Sequence, residues 1–401
     1  MKDFLPFALP LIEREEIDAV VETLESGWIT TGPRTKQFEA NFAEQIGCKH
    51  AIAVNSCTAA LHLAIEAINV REGDGVLTTP MTFAATAEAI EYFKAKPVFV
   101  DIDPVTMNID ISKLEQGVAI FKKRSSLKNI KAILPVHFAG YPAPMNDILE
   151  VAKNNHCHVI EDAAHAYPSS YKGQIVGNIG DITCFSFYAT KNITTGEGGM
   201  ITTNNDEWAD RMRIMSLHGI SRDAWKRYQA DGNWHYDIIS PGFKYNMTDI
   251  AAALGIVQLK KSHALLARRE QIAQIYDQAF SSLSAIERPP MGPVGGTWDP
   301  NEFQHSWHLY VMKLNLDHLT IDRNRFIDEL KALGIGVSVH FIPLHIHPYY
   351  RERYGFEPQD YPIAYQTYQR IISLPIYPKM TYADVERVID AVTNVTRRFK
   401  R

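Results

Sequence analysis

Apolar positions along the chain recur with two alternating periods. Residues 13–26 (EREEIDAVVETLES) set Ile17, Val20, Val21 and Leu24 at helical spacing and predict an amphipathic helix. HAIAVNS (50–56) predicts a short apolar strand, and CTAALHLAIEAI (57–68) a helix. GVLTTP (75–80), TAEAIEYFKA (86–95) and KPVFVDID (96–103) repeat the strand–helix–strand rhythm. IKAILPVHF (130–138), NDILEVAKNN (146–155) and HVIEDAAHA (158–166) repeat it again. Such alternation implies βαβ units and a mostly parallel sheet covered by helices. A long helical stretch follows at 248–283, then a proline- and glycine-dense loop or linker at 284–300. Segments 306–314, 322–334, 337–341 and 383–399 predict a smaller α+β unit. The expected division is therefore a large α/β domain over 1–283 and a small C-terminal domain over 284–401.

In sheets of this kind ligands gather at the carboxyl ends of the strands. Asn55–Ser56, Thr82–Phe83, Asp162 and Lys191 all follow strand-like runs, so they can converge. Lys191 lies in FSFYATKNITTGEGGM (185–200), a lone lysine in a polar, glycine-rich run after an apolar strand. A lysine so presented can form a Schiff base with an aldehyde when its amine is held neutral part of the time. A surface lysine at a strand end is the commoner outcome. IEDAAHA (160–166) changes the odds, because it supplies Asp162 and His165 after an apolar run. A pyridoxal-type cofactor needs a carboxylate to keep its pyridine nitrogen protonated. Ser56, Cys57 and Thr58 precede a predicted helix, whose N-terminus suits a phosphate, although simple capping explains the same residues. Phe83 can stack on a ring or fill a core, and Ser186 can donate to a phosphate or decorate its strand. His340, His345 and His347 cluster in a proline-broken loop with no acidic or thiol neighbour, which favours a polar loop over a metal site.

At 46% hydrophobic and 22% charged over 401 residues, the composition is that of a globular chain large enough for two domains. A net charge of −5 disfavours a nucleic-acid binder. Clusters such as Lys122–Arg124 and Arg397–Arg401 fit solvated helix ends or tails. Cys48, Cys57, Cys157 and Cys184 lie far apart, as in a reducing compartment. The acid and prolines of MKDFLPFALP break any leader-like apolar core, and no apolar run is expected to span a membrane. Asn-x-Thr sequons occur at Asn192, Asn246 and Asn394, and a glycan at Asn192 would block the lysine beside it. A cytoplasmic location is expected.

The segments GWITTGPRTKQFE (27–39), AVNSCTAALHLA (53–64), PMTFAAT (80–86), IEDAAHA, FSFYATKNITTGEGGM and PGFKYNMTDIAAALG (241–255) together resemble the DegT/DnrJ/EryC1/StrS aminotransferases, in order along nearly the whole chain. That resemblance implies a fold-type-I enzyme dependent on pyridoxal 5′-phosphate (PLP), which aminates nucleotide-linked keto-sugars with glutamate and releases 2-oxoglutarate. It implies that Lys191 binds the cofactor and shuttles the proton, and that Asp162 pairs with the pyridine nitrogen. His165 would sit by the ring oxygen, Phe83 would stack on the ring, and Ser56, Cys57, Thr58 and Ser186 would hold the phosphate. Trp28, Thr30 and Thr31, in the GWITTGP loop, and His340 would face the sugar. A homodimer with shared sites is implied, its crossing segment carrying Lys244, Tyr245 and Asn246 where many members have Asn-Tyr-Arg. Of Lys244 and Asn246, either can be the phosphate contact. A dehydrating branch has histidine in place of Lys191, so lysine favours amine transfer. The opening FLPFALPLI and GWITTGP resemble members acting at C4 of UDP-linked keto-sugars for surface polysaccharide or lipopolysaccharide. The alternatives are a dehydratase or deaminase with the same cofactor, a C3 aminotransferase on a dTDP-sugar, and a non-catalytic sugar-nucleotide-binding regulator.

Overall fold

The computed structural model describes residues 4–123, 129–221, 235–294 and 302–401. Helices α1 (Arg14–Glu25) and α2 (Pro33–Ile46) precede strand β1 (His50–Val54). Then α3 (Cys57–Ala67), β2 (Gly75–Thr78), α4 (Ala84–Glu91), β3 (Lys96–Phe99), α5 (Ile111–Lys123), β4 (Ile130–Ile133), α6 (Met145–Asn154) and β5 (His158–Asp162) alternate. A short hairpin, β6 (Ser170–Tyr171) and β7 (Gln174–Ile175), leads to β8 (Ile182–Ser186) and β9 (Gly199–Thr203). α7 (Asp206–Met215) and the long α8 (Asp249–Phe280) follow. The C-terminal part comprises β10 (Ile286–Glu287), β11 (Phe303–Gln304), β12 (Tyr310–Leu314), α9 (Arg323–Ala332), α10 (Pro348–Tyr354), α11 (Pro362–Tyr368), β13 (Ile371–Leu374) and α12 (Tyr382–Arg398).

Seven strands form one sheet in the order β1-β9-β8-β5-β4-β2-β3. β8, β5, β4, β2 and β3 are mutually parallel, while β9 runs antiparallel between β1 and β8. The carboxyl ends of β1, β2, β4, β5 and β8 therefore share one edge, and β9 starts there. A second sheet, β10-β12-β13, is antiparallel, and β11 joins the β6–β7 hairpin. The mixed α/β architecture agrees with the reading of the alternating pattern.

The expected strands are cut short at their carboxyl ends. The 96–103 run stops at Phe99 and the 130–138 run at Ile133, where Pro135 can donate no ladder bond. Segment 337–341 forms no strand; Ser338 alone exchanges hydrogen bonds with Ser373 (3.1 and 2.8 Å). The expected linker contributes β10, which pairs with β12. Its residues 295–300, and Arg124 of the first basic cluster, lie outside the described residues.

α1 forms where expected, with much of its apolar stripe exposed. Ile17, Val21 and Leu24 are exposed, whereas Glu16 and Thr23 are buried. Glu16 accepts from Gln258 Nε2 (2.9 Å) and Lys261 Nζ (3.1 Å) of α8, and partners of this kind make a buried carboxylate tolerable. α8 is long and apolar enough to cross a membrane, which the sequence reading did not expect; in this fold it packs against α1, α2 and α12. Its last turns, with Ile272, Tyr276 and Phe280, share a core with β12, β13, α12 and Leu5. The cut at 283/284 remains our proposed boundary in the chain, although this packing ties both ends of the large domain to the C-terminal sheet.

Candidate active site

A cavity of about 500 Å³ opens at the shared carboxyl edge of the large sheet. Ser56, at the end of β1, caps α3: its Oγ accepts from Ala59 N–H (3.1 Å). The first N–H groups of that helix have no intrahelical backbone acceptor, and its first residues line the cavity, a setting that suits an anion. Gly199 lets β9 approach closely, because a Cβ there would meet the Ser56 carbonyl carbon and oxygen at 2.6 Å. Ser56, Cys57, Thr58 and Ser186 all line the cavity.

Asp162 ends β5 at 5% exposure. Its Oδ2 accepts from Thr86 Oγ1 (2.7 Å) and its Oδ1 from Ala164 N–H (3.1 Å), and Thr82 stands 2.7 Å behind Thr86. Burial raises its pKa, opposed by the Thr86 and Ala164 hydrogen bonds and by the charge of Lys191. Lys191 is half-buried on the loop between β8 and β9, its N–H bonded to Tyr188 O (2.9 Å). Burial lowers its amine to about 8, against the pull of Cys57 and Asp162. A lysine near 8 is neutral often enough to act as nucleophile and base.

Phe83 caps α4 and is 63% exposed on the cavity wall, 6.3 Å from the Phe341 ring. His165 is buried and its Nδ1 has no partner among the described residues. Its ring stacks on Phe341 (5.7 Å, 17°), and burial holds its pKa well below the usual histidine range. His340 reaches the same cavity, bonded through Nδ1 to Ser373 Oγ (2.8 Å) and stacked on Phe7 (5.5 Å). Its pKa falls to about 4 because it too is buried.

Trp28, Thr30, Thr31, Lys244 and Asn246 do not line this cavity. They form their own cluster: Asn246 Nδ2 donates to Thr31 Oγ1 (2.6 Å), Lys244 Nζ to Asn246 Oδ1 (2.6 Å), and Trp28 Nε1 to Thr31 O (3.1 Å). Asp249 pins this loop by accepting Gly32 N–H, Thr35 N–H and Thr35 Oγ1 at 2.7–2.9 Å, and Thr30 O accepts its N–H. The sequence reading missed Thr86, Phe7, Tyr188, Glu197, His308 and Phe341, all on the cavity wall. Thr86, one helical turn after Thr82, was the most readable of them.

The residues present fit pyridoxal phosphate. They offer a helix N-terminus with hydroxyls, a buried carboxylate, a lysine of lowered pKa, an exposed aromatic face and an unpartnered imidazole nitrogen around one cavity. Residues 10–393 match the DegT/DnrJ/EryC1/StrS aminotransferase family. The spore coat polysaccharide biosynthesis protein SpsC of Bacillus subtilis is 48% identical over 98% of this chain and 97% of its own. A putative sugar aminotransferase of Streptococcus pneumoniae, Spr1654, solved in PLP and pyridoxamine (PMP) forms, is 35% identical at a TM-score of 0.88. The match covers 98% of this chain and 98–99% of that one. Helicobacter pylori PseC, an aminotransferase involved in the biosynthesis of pseudoaminic acid, is 28% identical at 0.87, covering 99% of this chain and 100% of that one. The chain thus belongs to the DegT/DnrJ/EryC1/StrS aminotransferase family, and is a PLP-dependent sugar aminotransferase of the fold-type-I architecture.

Proposed function

We propose that this enzyme moves an amino group from glutamate to C4 of a nucleotide-linked keto-sugar, a UDP-4-keto-sugar, for surface polysaccharide. The observation that carries the amine chemistry is Lys191 at about 8 on the same cavity as the buried Asp162. The names of SpsC and PseC support a surface-polysaccharide or amino-sugar setting. Position C4 and the uridine nucleotide rest on the FLPFALPLI and GWITTGP segments.

Bound in this cavity, the cofactor supplies an aldehyde that takes up amines and a protonated pyridine that accepts the electron pair released at the donor Cα. Lys191 Nζ anchors it, removes the Cα proton of glutamate and returns a proton to the sugar carbon that receives nitrogen. Asp162 would pair with the pyridine nitrogen as a carboxylate, a form that its hydrogen bonds from Thr86 and Ala164 favour. Ser56, Cys57, Thr58, Ser186 and the start of α3 bind the phosphate. His165 Nδ1 would serve the ring oxygen, and Phe83 would offer its ring to the cofactor. Trp28, Thr30, Thr31 and His340 would contact the sugar, with Lys244 or Asn246 reaching the phosphate of a second copy in a cytoplasmic homodimer.

The test is direct. The PLP-loaded enzyme is treated with glutamate, and then with UDP- and dTDP-linked 4-keto- and 3-keto-sugars, and the product amine is placed by NMR. A 4-amino UDP-sugar is the expected product. A 3-amino sugar, a dTDP preference or a deoxygenated product without 2-oxoglutarate contradicts the proposal.

A further inference from the structure

Asn192, the residue after Lys191, is 8% exposed. Its Nδ2 donates to Ser306 O (2.6 Å), which leaves Oδ1 to face His308 Nδ1 (3.2 Å). An amide oxygen can only accept, so His308 carries its proton on Nδ1 and its Nε2 is bare. The His308 ring lies 4.3 Å from the His165 ring, tilted 38°. Ser306 Oγ donates to His165 O (2.6 Å) and Ser306 N–H to Gly140 O (3.2 Å). Segment 306–308 therefore touches both the residue beside the lysine and the histidine whose Nδ1 has no partner. Burial holds the pKa of His308, like that of His165, well below the usual range, so both rings are neutral. The buried, bonded Asn192 amide also rules its sequon out as a glycan site in the folded chain.

We propose that Asn192 and His308 are positioning residues: the Ser306–Asn192–His308 bridge fixes one neutral His308 tautomer, which packs His165 in place and sets the chain at Lys191. His308 is on the cavity wall, and the proposed role of both residues runs through Lys191 and His165. The inference rests on the reading of Lys191 as the cofactor anchor.

Two measurements on cofactor-free protein decide it. The first is ¹⁵N NMR of the histidine rings near neutral pH, with His308 identified by the signal lost in His308→Gln. It should show a neutral Nδ1–H ring; an Nε2–H or doubly protonated His308 overturns the bridge. The second is the rate at which added PLP is captured, followed by absorbance. Asn192→Ala and His308→Leu should slow capture about tenfold or more, because small misplacements of reacting groups are costly. The double variant should be no slower than the slower single one. His308→Gln keeps an N–H for Asn192 and should stay near wild type. Equal capture in all variants overturns the pair, as does loss explained wholly by a fall in thermal midpoint. Should a variant fail to fold, the tautomer in the wild-type protein decides alone. Capture that persists unchanged in Lys191→Ala identifies failure of the anchor reading instead.

Discussion

In its proposed role Lys191 combines two demands, since a nucleophile must be neutral and a proton carrier must recharge. With its amine at about 8, both forms are populated near neutrality. Lys191→Ala should lower turnover by about 10²–10⁴-fold or more, measured as 2-oxoglutarate release. The same shift has a stability consequence. The unfolded lysine holds its proton to about 10.5 and the folded one only to about 8, so the folding penalty is full below 8 and fades between 8 and 10.5. Cofactor-free Lys191→Met should therefore melt higher than wild type below pH 8, the gap closing as pH rises; a gap that widens with pH contradicts the burial argument. Asp162 depends on Thr86 as much as on its own position. Thr86→Val removes a hydrogen bond to a buried carboxylate worth about 1.5–3 kcal/mol, and should weaken PLP binding measurably while leaving the sheet intact. Lys191, Asp162 and His165 were readable from the sequence because short motifs hold them. Thr86 and His308 were not, because their importance lies in contacts 76 and 116 positions away along the chain.

At the scale of elements, the end of the cavity proposed to hold the phosphate is built by β1, α3 and the start of β9 together. Gly199→Val places a side chain against the Ser56 carbonyl, and overpacking of that kind costs about 1–3 kcal/mol. The strain falls on the α3 N-terminus, so phosphate-bearing PLP should lose more affinity than pyridoxal lacking the phosphate. An equal loss for both would remove this edge as the phosphate site. The strand–helix rhythm from His50 to Asp162 was legible because buried parallel strands and their helices leave distinct periods. α1 forms where the pattern placed it, but its outward-facing apolar side was not legible, because periodicity shows an apolar stripe and not what covers it. Segment 337–341, one of those expected to build the smaller α+β unit, makes a single exchange with Ser373 in place of a ladder.

At the scale of the molecule, Ile17, Val21, Leu24 and Ile29 are exposed beside the loop that holds Thr31, Asn246 and Lys244. That arrangement supports the proposed homodimer, in which this surface is covered and the cluster completes the partner's site. Mixing Lys191→Ala with Lys244→Ala after reversible dissociation should then restore activity that neither variant has, by assembling one intact site per mixed dimer. Mixing without recovery, with both parents dimeric, contradicts shared sites. Linker composition is what motivates the proposed two-part division, whereas the joint core of Leu5, α8 and the C-terminal sheet was not legible, since it joins residues from opposite ends of the chain. The central claim concerns one cavity and one amine, and the visible absorbance of the PLP-loaded protein before and after glutamate tests it most directly. A band of lysine-linked cofactor that disappears with stoichiometric 2-oxoglutarate, and is absent in Lys191→Ala, is the predicted result. A band that glutamate leaves unchanged, or that survives in Lys191→Ala, contradicts it.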